Sequence, residues 1–381
     1  MADITKAFLQ ISVADEDRDA LRFLWLTGPP DAADTKSRTL RMTRVVFGVS
    51  SSPFSLAATI RNHLNGYQTS HPHAVNTLKD SLYVDDFIAS SSDVEGAFAL
   101  TTQAREILST AGMNLCKWAT NSSELKAKWL QGDFDFTLEP EAHGCVLKVL
   151  GLVWRPETDD FVFNLKHLMD SFKDRVNTKR SVLQSSAKIF DPMGFLTPFT
   201  IRVKCLFQDM WQRGISWDQE LPDDLTQGWQ QWCMELLQLH QIAIPRWCGT
   251  DELQNGRGLH VFSVASERAY SAVAYLQGQT AEGKTVSRLI MSKSRVAPIK
   301  KLTLPRLELM GALVAARMGN NLLKAMDMHT SQIRMWSDSM IVIQWIRSSA
   351  QRWKQFVANR VRYRDTVTDP ARNLVTLQWE A

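Results

Sequence analysis

The feature that most constrains the fold is the order of apolar patterns in the last third of the chain. "GLHVFSVAS", "AYSAVAYLQG" and "VSRLIMSKS" follow one another from about residue 256 onward. Each is of strand length, rich in β-branched and aromatic residues, and bounded by polar or glycine-bearing turns. "LTLPRLELMGALVAARMGNNLLKAM" then reads as one long helix, with Thr303 as a possible N-cap and Pro305 tolerated in the first turn. "QIRMWSDSM" reads as a further strand and "IVIQWIRS" as a further helix. Three strands, a helix, a strand and a helix call for an α/β layer with a helix on the sheet.

The remainder has two other textures. Residues 1–157 alternate short apolar runs ("LRFLWL", "SLYVDDFIAS", "VLKVLGLVW") with helical segments ("SPFSLAATIRNHL", "VEGAFALTTQAREILSTAG"), which reads as an α+β unit. Residues 158–255 carry Trp211, Trp217, Trp229, Trp232 and Trp247, with Pro192, Pro198 and Pro222 breaking the stretch into helices and turns. A mostly helical connecting region is expected there, so the chain divides at about 157 and 255. With 381 residues, 44% hydrophobic and 22% charged, such a chain can bury several cores. The five cysteines, Cys116, Cys145, Cys205, Cys233 and Cys248, stand far apart without a C-x-x-C pair, which argues against a disulfide framework and a zinc ribbon. No apolar run approaches the ~20 residues of a membrane span, and the N-terminus lacks the pattern of a secretory leader. An intracellular location is expected. The net charge of +4 permits an anionic partner, and residues 347–364 interleave Arg347, Arg352, Lys354, Arg360, Arg362 and Arg364 with Trp353, Phe356 and Tyr363. That mixture suits a nucleic-acid backbone and equally a solvated amphipathic helix.

"SLYVDDFIAS" (81–90) sets Asp85 and Asp86 between apolar flanks. Adjacent strand residues point to opposite faces, but a tight turn lets both carboxylates project from one edge. A paired Asp also suits an ordinary turn, because Asp favours turns and hydrates well. Held rigidly, crowded carboxylates are costly unless a cation neutralises them, and hard divalent ions take oxygen ligands. The candidate for a third acid is Asp3 in "MADITKAFLQI".

"ADITKAFLQI", "FGVSSSPF" (47–54), "YVDD" (83–86), "GMNLCKW" (112–118) and "LGLVW" (150–154) resemble reverse transcriptase palm motifs in their family order. "DEDRDALRFLWL", "SSAKIFDPMGFLTPFTI", "KLTLPRLELMGALVAARM", "WSDSMIVIQWI" and "WKQFVANRV" resemble the pol polyprotein of BEL/Pao-type LTR retrotransposons. The resemblance implies an α+β palm over 1–157 without its fingers, a thumb or connection region over 158–255, and an α/β ribonuclease H-like domain over 256–381. It implies RNA-directed DNA polymerisation, with RNA template, DNA primer, RNA/DNA hybrid and deoxynucleoside triphosphates as partners and no membrane. Asp3, Asp85 and Asp86 would be catalytic and would hold two magnesium or manganese ions. Phe8 would gate against a ribose 2′-OH. Gly48, in a loop where a side chain would obstruct, would lie near the nucleotide, and Lys117 would approach the triphosphate.

The same resemblance exposes departures. Relatives of this kind carry fingers before the first palm Asp, whereas this sequence starts two residues before Asp3. In the ribonuclease H-like part, Glu308 fits the helix acid, with Gly311, Ala312 and Ala315 leaving room around it, and Asp338 fits the strand acid. The first-strand acid is replaced by Val264 in "FSVAS"; Glu267, three positions later, has the wrong strand parity to substitute simply, and Ser266 is a poor ligand. Asp365 and Asp369 do not match the motif of the fourth acid. Hybrid cleavage is therefore not expected, and without a D-T-G or D-S-G motif proteolysis is not expected either. The alternative to a working polymerase is a remnant that binds nucleic acid without turnover.

Overall fold

A computed structural model describes residues 1–29, 36–136, 147–163, 176–249, 255–367 and 379–380. Chain contacts divide it into two units, residues 1–147 with 156–158, and residues 148–155 with 159–381.

In the first unit β1 (Ala2–Ile4) runs through a small sheet, and β2 (Arg22–Leu26) and β3 (Ser37–Arg41) form a separate two-stranded ribbon. With β4 (Leu82–Tyr83), β5 (Asp86–Phe87) and β6 (Leu115–Cys116), β1 makes the order β4-β5-β1-β6, all neighbours antiparallel. Four helices pack with it: α1 (Ser52–Asn65), α2 (Pro72–Ser81), α3 (Val94–Ser109) and α4 (Ser123–Gln131). Their ends are chemically specified. Asp93 accepts from the Gly96 N–H at 2.7 Å to start α3, and Ser122 accepts from the Leu125 N–H at 3.2 Å to start α4. Leu56, Ile60 and Leu64, spaced by one helical turn, put one stripe of α1 into the core. Beneath the sheet Trp118, Trp129 and Phe134 pack ring on ring, and Phe87 meets Trp118 edge-on at 6.4 Å.

The "LRFLWL" run behaves unlike the other apolar runs. It pairs with β3 alone, and all five residues of β2 are exposed, Leu24 at 73% and Trp25 at 58%. Among the described residues no layer covers either face of this ribbon.

In the second unit β7 (Lys148–Val149), β8 (Leu152–Arg155), β9 (Asp160–Val162) and β10 (Ala243–Pro245) form a sheet in the order β10-β9-β8-β7. The "LGLVW" stretch therefore pairs within this sheet. Its turn places Leu150 and Gly151 at φ 49° and 85°. The tryptophan-rich stretch folds as α5 (Lys179–Ser186), α6 (Thr197–Gln212) and α7 (Asp223–Leu236). Trp229 stacks on Trp232 at 5.1 Å and Phe199 on Trp232 at 4.6 Å, so these rings are core.

The large sheet has β11 (Asn255–Ala265), β12 (Ala269–Gln279), β13 (Thr285–Val296), β14 (Ile333–Ser337) and β15 (Trp379–Glu380) in the order β13-β12-β11-β14-β15. β11 is antiparallel to β12 and parallel to β14, reached through the crossover helix α8 (Leu304–Ala325). α9 (Met340–Arg347) and α10 (Gln355–Val367) follow β14. The expected strand, strand, strand, helix, strand, helix order is present. Gly311, Ala312 and Ala315, expected to leave room around Glu308, instead let α8 approach the sheet. A Cβ on Gly311 would stand 3.2 Å from the Val264 carbonyl oxygen, and Ala312 and Ala315 are buried.

The helices and the large sheet share one unit because the loop before α6 is sewn to the edge of β13. The Ser292 N–H donates to the Met193 carbonyl at 2.8 Å, and the Ser292 hydroxyl donates to the Gly194 carbonyl. Asp191 accepts from the Phe195 and Leu196 N–H groups at 2.9 and 2.8 Å, which closes the loop.

Candidate active site

β1 puts Asp3 in the middle of the small sheet, directly opposite Asp86 of β5 on one side and Cys116 of β6 on the other. β4 and β5 are joined through Val84 and Asp85, and the Ile4 N–H donates to the Asp85 carbonyl at 2.9 Å, tying the turn to β1. Val84 has φ 59°, a left-handed conformation that a β-branched side chain adopts only under constraint. The expected hairpin is shorter than its apolar flanks suggest. α2 continues through Ser81, and the Leu82 N–H still donates to the Leu78 carbonyl, so each strand has only two residues. Tyr83 is exposed and Phe87 carries the burial.

Three carboxylates thus converge on one sheet with one ammonium beside them. Lys117, just after β6 and at φ 54°, donates from Nζ to Asp3 Oδ2 at 2.6 Å. That bond is the main reason its ammonium is held above the ordinary lysine range. Asp86 is held above the ordinary carboxylate range, chiefly by burial and then by the charges of Asp85 and Asp3, with Lys117 opposing. An anionic cluster that raises its own member is chemically suited to a hard divalent cation. Its present arrangement falls short of a coordination sphere. Asp3 is engaged by Lys117, and among the described residues no three His, Cys, Asp or Glu side chains gather closely enough to hold an ion.

The raised Asp86 has a consequence for stability. Its proton is bound more tightly in the folded chain than in the unfolded one, so the folded state loses ground as pH rises through the folded value. Asp86→Asn is expected to raise the melting midpoint at pH 7 by about 1–3 °C, a size limited by the partial exposure of the group. The difference should close near pH 4, where the unfolded carboxyl also protonates. A midpoint lowered by the substitution at pH 7 would count against this account.

Phe8 lies in a 3-10 turn at 5% exposure and meets Phe47 edge-on at 4.8 Å. Its ring is therefore largely core, with the exposed Phe47 outside it. Gly48 has φ 86°, and nothing stands within 4 Å of where its Cβ would be. The backbone conformation alone already calls for glycine there.

In the second unit Glu308 sits on α8 and Asp338 directly follows β14. Glu308 Oε2 accepts the Ser339 hydroxyl proton at 2.5 Å, and the same hydroxyl accepts from the Val342 N–H to cap α9. Glu308 thus bonds to the helix cap. Val264 on β11 is 54% exposed and offers no ligand. The side chain of Asp365 and the whole of Asp369 lie outside the described residues.

The basic segment is only partly outward. Arg360 lies over the Phe356 ring at 3.6 Å and donates to Met310 Sδ, Arg306 approaches the same ring at 5.1 Å, and Trp353 packs against Trp345. Phe356 and Trp353 pack on the core. Arg352, Lys354 and Arg362 remain exposed.

Residues 178–339 match the family described as Pao retrotransposon-like RNaseH-like domain. The matched region spans α5 through β14 and ends at the Ser339 cap, so the match takes in the tryptophan-rich helices and four strands of the large sheet. No curated protein matches the chain. Among solved structures, that of the foamy viral protease-reverse transcriptase in complex with dsDNA is 15% identical, with a TM-score of 0.52 over 100% of this chain and 67% of that one. That of the foamy viral protease-reverse transcriptase dRH in complex with ds DNA is 16% identical, with a TM-score of 0.52 over 100% of this chain and 56% of that one. At these identities the likeness is one of fold.

Several contributors escape a reading of the sequence. Cys116 receives a bond from the Thr5 hydroxyl at 3.0 Å and donates toward the Asp3 carbonyl at 3.4 Å, bracing β1 against β6. Ser339 of the RNaseH-like domain could have been found, since a serine opening "SMIVIQWI" is an N-cap signal. The burial of Phe8 behind Phe47 had no local signal.

Proposed function

We propose that the chain is a retroelement reverse transcriptase-type protein of BEL/Pao kind. Its first unit would carry an RNA-directed DNA polymerase site adding deoxynucleotides to a primer 3′-OH, and its RNaseH-like domain would contact nucleic acid without cleaving the RNA of a hybrid. The observation that carries this reading is the register pairing of Asp3 with Asp86 beside the Val84–Asp85 turn. It gathers acids from two distant stretches onto one rigid sheet. Asp3, Asp85 and Asp86 would hold magnesium or manganese, which when bound would neutralise charge developing on the transferring phosphate. Phe8 and Gly48 would border the incoming nucleotide, and Lys117 would meet its phosphates. The fold likeness to a DNA-bound viral reverse transcriptase supports the same reading. Val264 in place of an acid, and Glu308 bonded to Ser339, support the absence of hybrid cleavage.

The second reading, binding without turnover, draws on the Lys117–Asp3 ion pair, which leaves Asp3 engaged. Primer extension on poly(rA) with oligo(dT) and magnesium, comparing the chain with Asp85→Asn, separates the two. Extension that falls at least ~100-fold in the variant supports the polymerase. No extension in either, together with hybrid binding that weakens steeply as salt rises, would replace it with the second reading.

A further inference from the structure

Lys117 reaches Asp3 from outside the cluster. Its side chain is 63% exposed and that of Asp3 27%, so a long flexible arm folds back onto a carboxylate fixed in the central strand. Asp3 is braced on both sides, by its pairing with Asp86 and by Cys116, whereas among the described residues the ammonium has no hydrogen-bond partner besides Asp3. A lysine ammonium is a compact point charge on a rotatable stem, able to leave one anion for another. A hard divalent cation and this ammonium would seek the same oxygen, Asp3 Oδ2.

We infer that Lys117 is a built-in competitor for the divalent ion, closing Asp3 to metal until an incoming polyphosphate draws the ammonium away. The inference rests on the polymerase-type reading of the carboxylates and adds a coupling to it. The same lysine would serve as counter-ion to Asp3 in the empty site and to phosphate in the filled one. Nucleotide and metal would therefore bind with positive cooperativity. Each removes an obstacle to the other, and by linkage the effect is reciprocal.

The test is binding of manganese alone to the full chain, read by the EPR signal of free Mn²⁺ at constant ionic strength. Lys117→Met and Lys117→Asn are both measured, the second because asparagine tolerates the left-handed backbone at this position. Both are expected to bind manganese roughly three- to tenfold more tightly than the unaltered chain, the range expected when a partly exposed ion pair is removed. Lys117→Arg, which keeps a cation on Asp3, should not gain. Adding Asp3→Asn to Lys117→Met should abolish the gain. Equal or weaker binding in both neutral variants, with unfolding midpoints preserved, overturns the inference. Failure of the polymerase reading shows separately. Tighter manganese binding without primer extension leaves the competition standing and removes the enzyme, whereas Asp85-dependent extension without tighter binding does the reverse.

Discussion

Gly194→Ala is expected to be among the most damaging single substitutions in the chain, costing about 3 kcal/mol or more of stability in the second unit. Two independent effects coincide at this position. Its φ of 75° lies where an L side chain is strained, and an added Cβ would stand 1.9 Å from the Ser292 carbonyl oxygen, a backbone atom of an edge strand that cannot rotate away. Moving the loop outward would break the Ser292 to Met193 bond and leave α6 held to the sheet by contacts such as that of Gln208 with the Ala297 carbonyl. Chemical denaturation should show the loss. Gly214→Ala provides the control, because Gly214 shares a positive φ of 68° but has nothing within 4 Å of the Cβ position. It should pay the backbone cost alone, about 1 kcal/mol. Equal losses at the two positions would mean that the close approach to β13 contributes little.

Trp118→Ala is expected to destabilise the first unit by about 3–5 kcal/mol. The indole is 1% exposed, meets Trp129, Phe134 and Phe87, and has a buried Nε1 without a hydrogen-bond partner among the described residues. That last point separates packing from polarity. Trp118→Phe loses no hydrogen bond and should cost clearly less than the alanine change. The substitution also bears on the site from behind, since Trp118 follows Lys117 and Phe87 follows Asp86. A cavity under this sheet should loosen the opposed carboxylates before the unit unfolds. Primer extension, if present, should therefore fall in Trp118→Ala at temperatures where the chain remains folded. Retained extension together with a lost thermal transition would argue that the sheet does not depend on this cluster.

The RNaseH-like sheet was the most legible part, because long strands and a 22-residue helix repeat their patterns often enough to outweigh local noise. The acids opposed across β1 and β5 were legible for another reason. Charges flanked by apolar residues are unusual, and one short turn is enough to explain both. The two-residue strands around them were not, since Ser81 carries no mark that distinguishes a helix end from a strand start. "LGLVW" resembles a palm motif, whereas its pairing partners, Asp160–Val162 and beyond them Ala243–Pro245, lie downstream. The three regions expected from divisions at 157 and 255 stand against two contact units for a related reason. Contacts far apart in sequence, such as Gly194 against Ser292 and Gln208 on the Ala297 carbonyl, join helices to sheet, and long-range docking of that kind leaves no periodic trace. Lys117 could be picked out as a candidate, but its preference for Asp3 depends on the register of β6 against β1.

The uncovered β2–β3 ribbon bears on how any affinity of this chain is read. Leu24, Trp25 and Leu26 stand exposed beside the arginines of β3, so the same few square nanometres can adhere to a resin, a tube wall or another molecule through either chemistry. Ionic capture of a polynucleotide weakens as salt is added, whereas apolar adhesion strengthens in salts such as sulfate that are excluded from protein surfaces. A retention curve that falls and then rises along an ammonium sulfate series would be the signature of both processes in one molecule. Only its falling limb would report on nucleic acid.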